Sequence, residues 1–205
     1  MATNFMTAAA DSIPSLSSGQ FSTVYNLFSL VIASMLFTGL YLLLAQRRVA
    51  PRYRNALIIS AMVCGIATYH YFRIFDNCKQ SYPPGVTAVD PHLLSSAQFN
   101  EAYRYVDWLL TVPLLLVETI AVMALARGVS KRLLTKLVPA ATLMIILGYP
   151  GAMTLEASPR LIWGVLATLP FLYLVYVLFV ELNRSLEGKP AAVRRTISTL
   201  RLTLL

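Results

Sequence analysis

Residues 103–118 run Tyr103-Arg104-Tyr105-Val106-Asp107-Trp108-Leu109-Leu110-Thr111-Val112-Pro113-Leu114-Leu115-Leu116-Val117-Glu118. Within this apolar stretch Arg104, Asp107, Thr111 and Glu118 recur at intervals of three, four and seven residues. On an α-helix those intervals return to one face. Asp107 and Glu118 are eleven residues apart, so their carboxyls point the same way, about 16 Å apart along the axis. Carboxylates inside a bilayer cost several kcal/mol unless protonated or paired, and they usually mark ion or proton pathways.

The rest of the chain shows why a bilayer is the right setting. The 205 residues are 57% hydrophobic and 13% charged. Soluble domains carry about twice that charged fraction. Crossing the hydrocarbon core takes about 20 apolar residues. Five such runs lie at 21–45, 55–75, 100–126, 133–153 and 161–181, and a sixth apolar stretch begins at 196–205. Without water for the backbone, each span must be helical. Asp107 and Glu118 are the only acidic residues deep inside these spans.

The net charge of +8 does not point to nucleic acid, because the basic residues are grouped by connection. The first connection holds Arg47, Arg48, Arg52 and Arg54, and the third holds Arg127, Lys131, Arg132 and Lys136. Arg184, Lys189, Arg194, Arg195 and Arg201 follow the fifth span. These alternate connections share one side of the membrane, and basic short loops stay cytoplasmic. The N-terminus is therefore expected outside, with helix three running inward. The chain should be a multi-pass plasma-membrane protein, in a prokaryote the inner membrane. The opening segment lacks the basic start of a cleavable signal peptide.

Cys64 and Cys78 are about 21 Å apart along a continuous helix, whereas a disulfide needs Cα atoms within about 7 Å. No metal-ligand cluster, phosphate-binding glycine loop or nucleophile elbow is evident. The longest outer connection, 76–98, contains the turn signal Ser81-Tyr82-Pro83-Pro84-Gly85, with a possible short strand at 86–89.

Two chemical readings of helix three stay open at this level. In one, Asp107 is ionised beside a cation while desolvation keeps Glu118 neutral, giving an acceptor and a donor for protons. In the other, Arg104 and Asp107 form a structural ion pair, Thr111 bonds the carbonyl four residues back, and Pro113 merely bends the helix.

Residues 103–118 closely resemble the third helix of microbial rhodopsins, particularly proteorhodopsins and xanthorhodopsins. Further matches follow in order: Tyr69-His70-Tyr71-Phe72-Arg73-Ile74-Phe75, Gly148-Tyr149-Pro150-Gly151 and Arg160-Leu161-Ile162-Trp163-Gly164. The resemblance implies an all-α, seven-helix membrane bundle holding all-trans retinal as a protonated Schiff base on a lysine of helix seven. None of Lys79, Lys131, Lys136 and Lys189 is placed to serve as that lysine, since all lie in or beside loops. The remaining helices are expected in a longer natural chain or a partner polypeptide.

By the same resemblance the protein is a light-driven outward proton pump, not an enzyme, and is expected as a homo-oligomer in the lipid bilayer. Asp107 would be counterion and proton acceptor, Glu118 the cytoplasmic donor, Thr111 a hydrogen-bonding neighbour, Arg104 the cation beneath, and His70 the partner of Asp107. Trp108, Leu115, Met144, Gly148, Trp163 and Phe171 would line retinal. Gly164 would open a window where a carotenoid antenna could lie. The alternatives are a photosensor signalling to a partner, and a non-photoactive helical scaffold.

Overall fold

A computed structural model describes residues 15–83, 92–93, 100, 102–123, 125–154, 156–181, 184 and 199. Five helices are long and apolar enough to cross a membrane. They are α1 (Ser18–Ala45), α2 (Pro51–Ser81), α3 (Ala102–Val122), α4 (Arg127–Met153) and α5 (Ala157–Tyr176). A 3₁₀ turn, Gln46–Arg48, follows α1, and a π-helical segment, Val177–Glu181, continues α5. Strand β1 (Ser15–Leu16) pairs antiparallel with β2 (His92–Leu93), tying the segment before α1 to the α2–α3 connection. The strand suggested at 86–89 lies outside the described residues.

Local chemistry sets the helix ends. Ser17 and Gln20 form a reciprocal capping box at the start of α1. Pro51 occupies the first turn of α2, where its missing N–H costs nothing. The Asn100 side-chain oxygen accepts from the Ala102 N–H at 2.9 Å, and the Asn100 backbone N–H donates to Asn77 Oδ1 at 2.8 Å. The start of α3 is thereby fastened to the last turns of α2.

Two helices outrun their apolar stretches. α2 continues through 76–81, which hydropathy assigns to the outer loop, and stops before Pro83-Pro84. Asp76 pairs with Lys79 at 3.2 Å and accepts from Gln80 at 2.8 Å, supporting these polar turns from within. α4 begins at Arg127, so the basic residues assigned to the third connection sit on its opening turns. Lys79, Lys131 and Lys136 are accordingly helical rather than in loops. α3 is shorter than its run of 100–126, ending at Val122.

Each helix packs chiefly on its neighbours in sequence. Toward the C-terminal ends of α3 and α5 and the N-terminal half of α4, Leu116, Ile120, Leu133, Leu137, Ala141 and Leu174 form a buried core with Val177 and Leu178 of the π segment. Close approach elsewhere relies on glycine, since helices associate in lipid by packing and small side chains let backbones meet. A Cβ on Gly151 would stand 3.0 Å from the Trp163 Cβ, and one on Gly39 3.2 Å from the Cys64 Cβ. Large exposed side chains such as Leu44, Phe37 and Leu161 suit a lipid-facing surface. Cys64 and Cys78 are both free thiols.

Candidate functional site

The inward face of α3 carries the polar groups. Asp107 and Thr111 are buried, at 7% and 5% exposure, and Glu118 is half-buried. The Thr111 hydroxyl donates to the Asp107 peptide oxygen at 2.8 Å, as the structural alternative anticipates. Its single hydrogen is thus committed, although its oxygen can still accept. Pro113 cannot donate to the Leu109 carbonyl, which leaves that acceptor free inside the helix.

His70, on α2, is buried at 7% exposure. Its ring meets Tyr69 edge-on at 5.2 Å, and the imidazole lies within electrostatic reach of Asp107. The shared depth expected from counting turns is therefore realised. Asp107 Oδ1 and His70 Nδ1 are both buried without a hydrogen-bond partner. Such atoms cost about 1–3 kcal/mol each when unsatisfied. A cavity of about 320 Å³ adjoins Asp107, lined also by Phe28, Tyr71, Ile74, Arg104 and Trp108. Arg104 and Asp107 thus share one largely aromatic chamber between α1, α2 and α3.

Glu118 occupies a separate environment, bonded to the Ser60 hydroxyl of α2. Ser60 has one hydroxyl hydrogen but two oxygens in reach, the other being the Ala56 carbonyl at 3.1 Å. Both contacts are full hydrogen bonds when the Glu118 carboxyl supplies the second hydrogen. Sequence reasoning missed Ser60. The available signal was a hydroxyl in the apolar run of α2, nine residues from Pro51, facing a carboxyl four residues from the end of α3.

The remaining expected residues fall into two groups. Leu115, Met144 and Phe171 line one cavity of about 160 Å³, with Val112, Leu116, Leu174 and Leu178. Trp108 instead borders the Asp107 chamber and meets Tyr105 edge-on at 5.3 Å. Gly148 admits the Tyr105 ring, whose Cε1 lies 3.4 Å from where a Cβ would stand. Trp163 sits at the α4–α5 crossing against Gly151. Gly164 is exposed, with nothing within 4 Å of an added Cβ, and its carbonyl accepts from Thr168 at 2.8 Å.

An apolar cavity and unsatisfied polar atoms around one carboxyl fit a largely apolar ligand with one cationic, hydrogen-bonding end. These features define a multi-pass helical membrane protein with two carboxyls on one face of a spanning helix. More particularly, the chain belongs to the bacteriorhodopsin-like protein family, whose pattern matches residues 22–205. It is 33% identical over 165 residues to the green-light absorbing proteorhodopsin of gamma-proteobacterium EBAC31A08, covering 80% of this chain and 57% of that protein. The chain thus spans between about a third and three-fifths of the length of the curated relatives it matches. Among solved structures, thermophilic rhodopsin superposes with a TM-score of 0.87 at 42% identity, covering 94% of this chain and 76% of that one. Xanthorhodopsin, described as a light-driven ion pump with dual chromophore, superposes at 0.86 with 40% identity, covering 95% and 77%. The chain thus has the rhodopsin fold, and its described residues hold five membrane-length helices of that seven-helix bundle.

Proposed function

We propose that the protein is a light-driven outward proton pump built around all-trans retinal, with Asp107 as outer proton acceptor and Glu118 as inner donor. The observation that carries this reading is the contrast between the two carboxyls on one face of α3. Asp107 presents a buried, unpartnered oxygen beside His70 and Arg104, whereas Glu118 is held by Ser60 in a mostly apolar inner half. Retinal, when bound, supplies the light-driven change of shape and a proton-bearing nitrogen.

The protein side chains provide the direction. Asp107 takes up a proton at Oδ1, and His70, whose own Nδ1 is free, shares in holding it. Arg104 lines the same chamber and is the cation on the outer side of Asp107 in this reading. Glu118 surrenders its proton toward the centre of the bundle and is refilled from the inner side. Thr111 holds the backbone of Asp107 through its 2.8 Å bond. Leu115, Met144 and Phe171 give the cavity they line an apolar wall, which disfavours a water chain there in this reading. The basic opening turns of α2 and α4 support an inner location for those ends and an outer N-terminus.

Trp108, Gly148 and Trp163 complete the retinal lining in this reading, and the attaching lysine belongs to a seventh helix. The open surface at Gly164 supports a carotenoid lying against α5 as an antenna. The test of the pump is illumination of vesicles holding the full-length protein, with external pH recorded. An uncoupler-sensitive pH change is expected, and Asp107→Asn should abolish it. Normal pumping by that variant would refute the assignment. Light-induced signalling without net transport would favour the photosensor alternative.

A further inference from the structure

One flank of α4 carries a groove of about 550 Å³ that the pump does not use. Its rim holds Arg127, Ser130 and Lys131, and its floor continues through Leu134 and Val138 to Pro139. Leu133, Leu137 and Ala141 of the same helix are buried in the core, and Leu134 packs against that core at the groove's inner edge, so the groove runs beside the core along the flank of α4. α4 packs chiefly against α3 and α5, and every residue lining the groove belongs to α4 or to the turn just before it.

The order of chemistry along the groove is the argument. Arg127 and Lys131 are one turn apart and both exposed. Ser130 adds a hydroxyl between them. One to two turns deeper, at about 1.5 Å per residue, the lining becomes apolar. The one hydroxyl at that level, Thr135, donates to the Arg132 carbonyl at 2.9 Å and so is already satisfied. Cations and a hydroxyl at the membrane surface, followed by an apolar channel running inward, match a phospholipid from headgroup to chain. Two adjacent cations with no acidic side chain on the rim complement an anionic headgroup and disfavour a zwitterionic one.

We propose that this groove binds an anionic phospholipid, with its phosphodiester between Arg127 and Lys131 and one acyl chain along Leu134 and Val138. Basic side chains at a membrane surface and apolar contact to the chain would act together, whereas a diffuse surface charge would use only the first. The assay is native mass spectrometry of the full-length protein titrated with phosphatidylglycerol or phosphatidylcholine. One phosphatidylglycerol should be retained in preference to phosphatidylcholine. The double variant Arg127→Gln/Lys131→Gln should weaken its retention roughly 25-fold, the worth of two surface cations. Arg127→Lys/Lys131→Arg should keep it, and Val138→Trp, which fills the channel, should reduce it with both charges intact. Arg47→Gln/Arg48→Gln, at the same membrane surface but outside the groove, should have little effect. Equal retention of phosphatidylcholine, an equal loss in the Arg47/Arg48 variant, or no effect of Val138→Trp would each overturn the proposal. Val138→Trp leaves the charged turn untouched, so the proposal stays open to refutation even if the charge variant misfolds.

Discussion

Substituting Gly151 by alanine tests how α4 and α5 are held together. The added Cβ would lie 3.0 Å from the Trp163 Cβ and 3.5 Å from the Arg160 carbonyl oxygen. Optimal carbon–carbon contact is about 3.5–4.0 Å, so the two helices must part by roughly 0.5 Å or more. Neither obstacle is the flexible end of a side chain, because a Cβ and a carbonyl move only with the backbone. Overpacking of this kind costs about 1–3 kcal/mol. Alanine also gains up to about 1 kcal/mol of helix propensity over glycine, which partly hides the cost. Gly65→Ala supplies the reference, since an added Cβ there meets nothing within 4 Å and the propensity gain is shared. Gly151→Ala should therefore be about 1–3 kcal/mol less stable than Gly65→Ala in equilibrium unfolding of the full-length protein in mixed micelles. Because the displaced helix carries Trp163, the visible band should also shift in Gly151→Ala and stay put in Gly65→Ala. Equal stability and equal spectra in the two variants would refute the claim that this crossing depends on a missing side chain.

Other outcomes follow from the same geometry. Ser60→Ala should move the carboxyl stretching band of Glu118 in infrared difference spectra, whereas Ser60→Thr should leave it nearly in place; an unmoved band in both would dissociate Ser60 from the donor. Gly164→Trp should abolish energy transfer from an added carotenoid while keeping the retinal band, as read by fluorescence excitation spectra, and unchanged transfer would remove the window from consideration. Asn100→Ala should destabilise the protein by about 0.5–2 kcal/mol through loss of the α3 cap, measured by the same unfolding titration.

Much of this protein can be read from its sequence, because a bilayer allows few answers. Apolar runs of sufficient length had to be helices, and helical spacing alone put Arg104, Asp107, Thr111 and Glu118 on one face. Counting turns also brought His70 to the depth of Asp107, as the structure bears out. Helix ends were less legible. Hydropathy reports only the hydrocarbon depth, whereas α2 and α4 continue into the interface on local ion pairs and basic turns.

Contacts between helices required the tertiary structure, since they depend on how each helix is rotated about its axis. The spacing of Thr111 permitted either a functional or a backbone role, and only the fold directed its hydrogen to the Asp107 carbonyl. Ser60 was one hydroxyl among several until packing set it against Glu118. Gly151 and Gly164 stand thirteen residues apart and look alike in sequence, yet Trp163 closes off the first while open surface surrounds the second. Periodicity along one helix is a local property, but the partner it faces is chosen by the whole bundle.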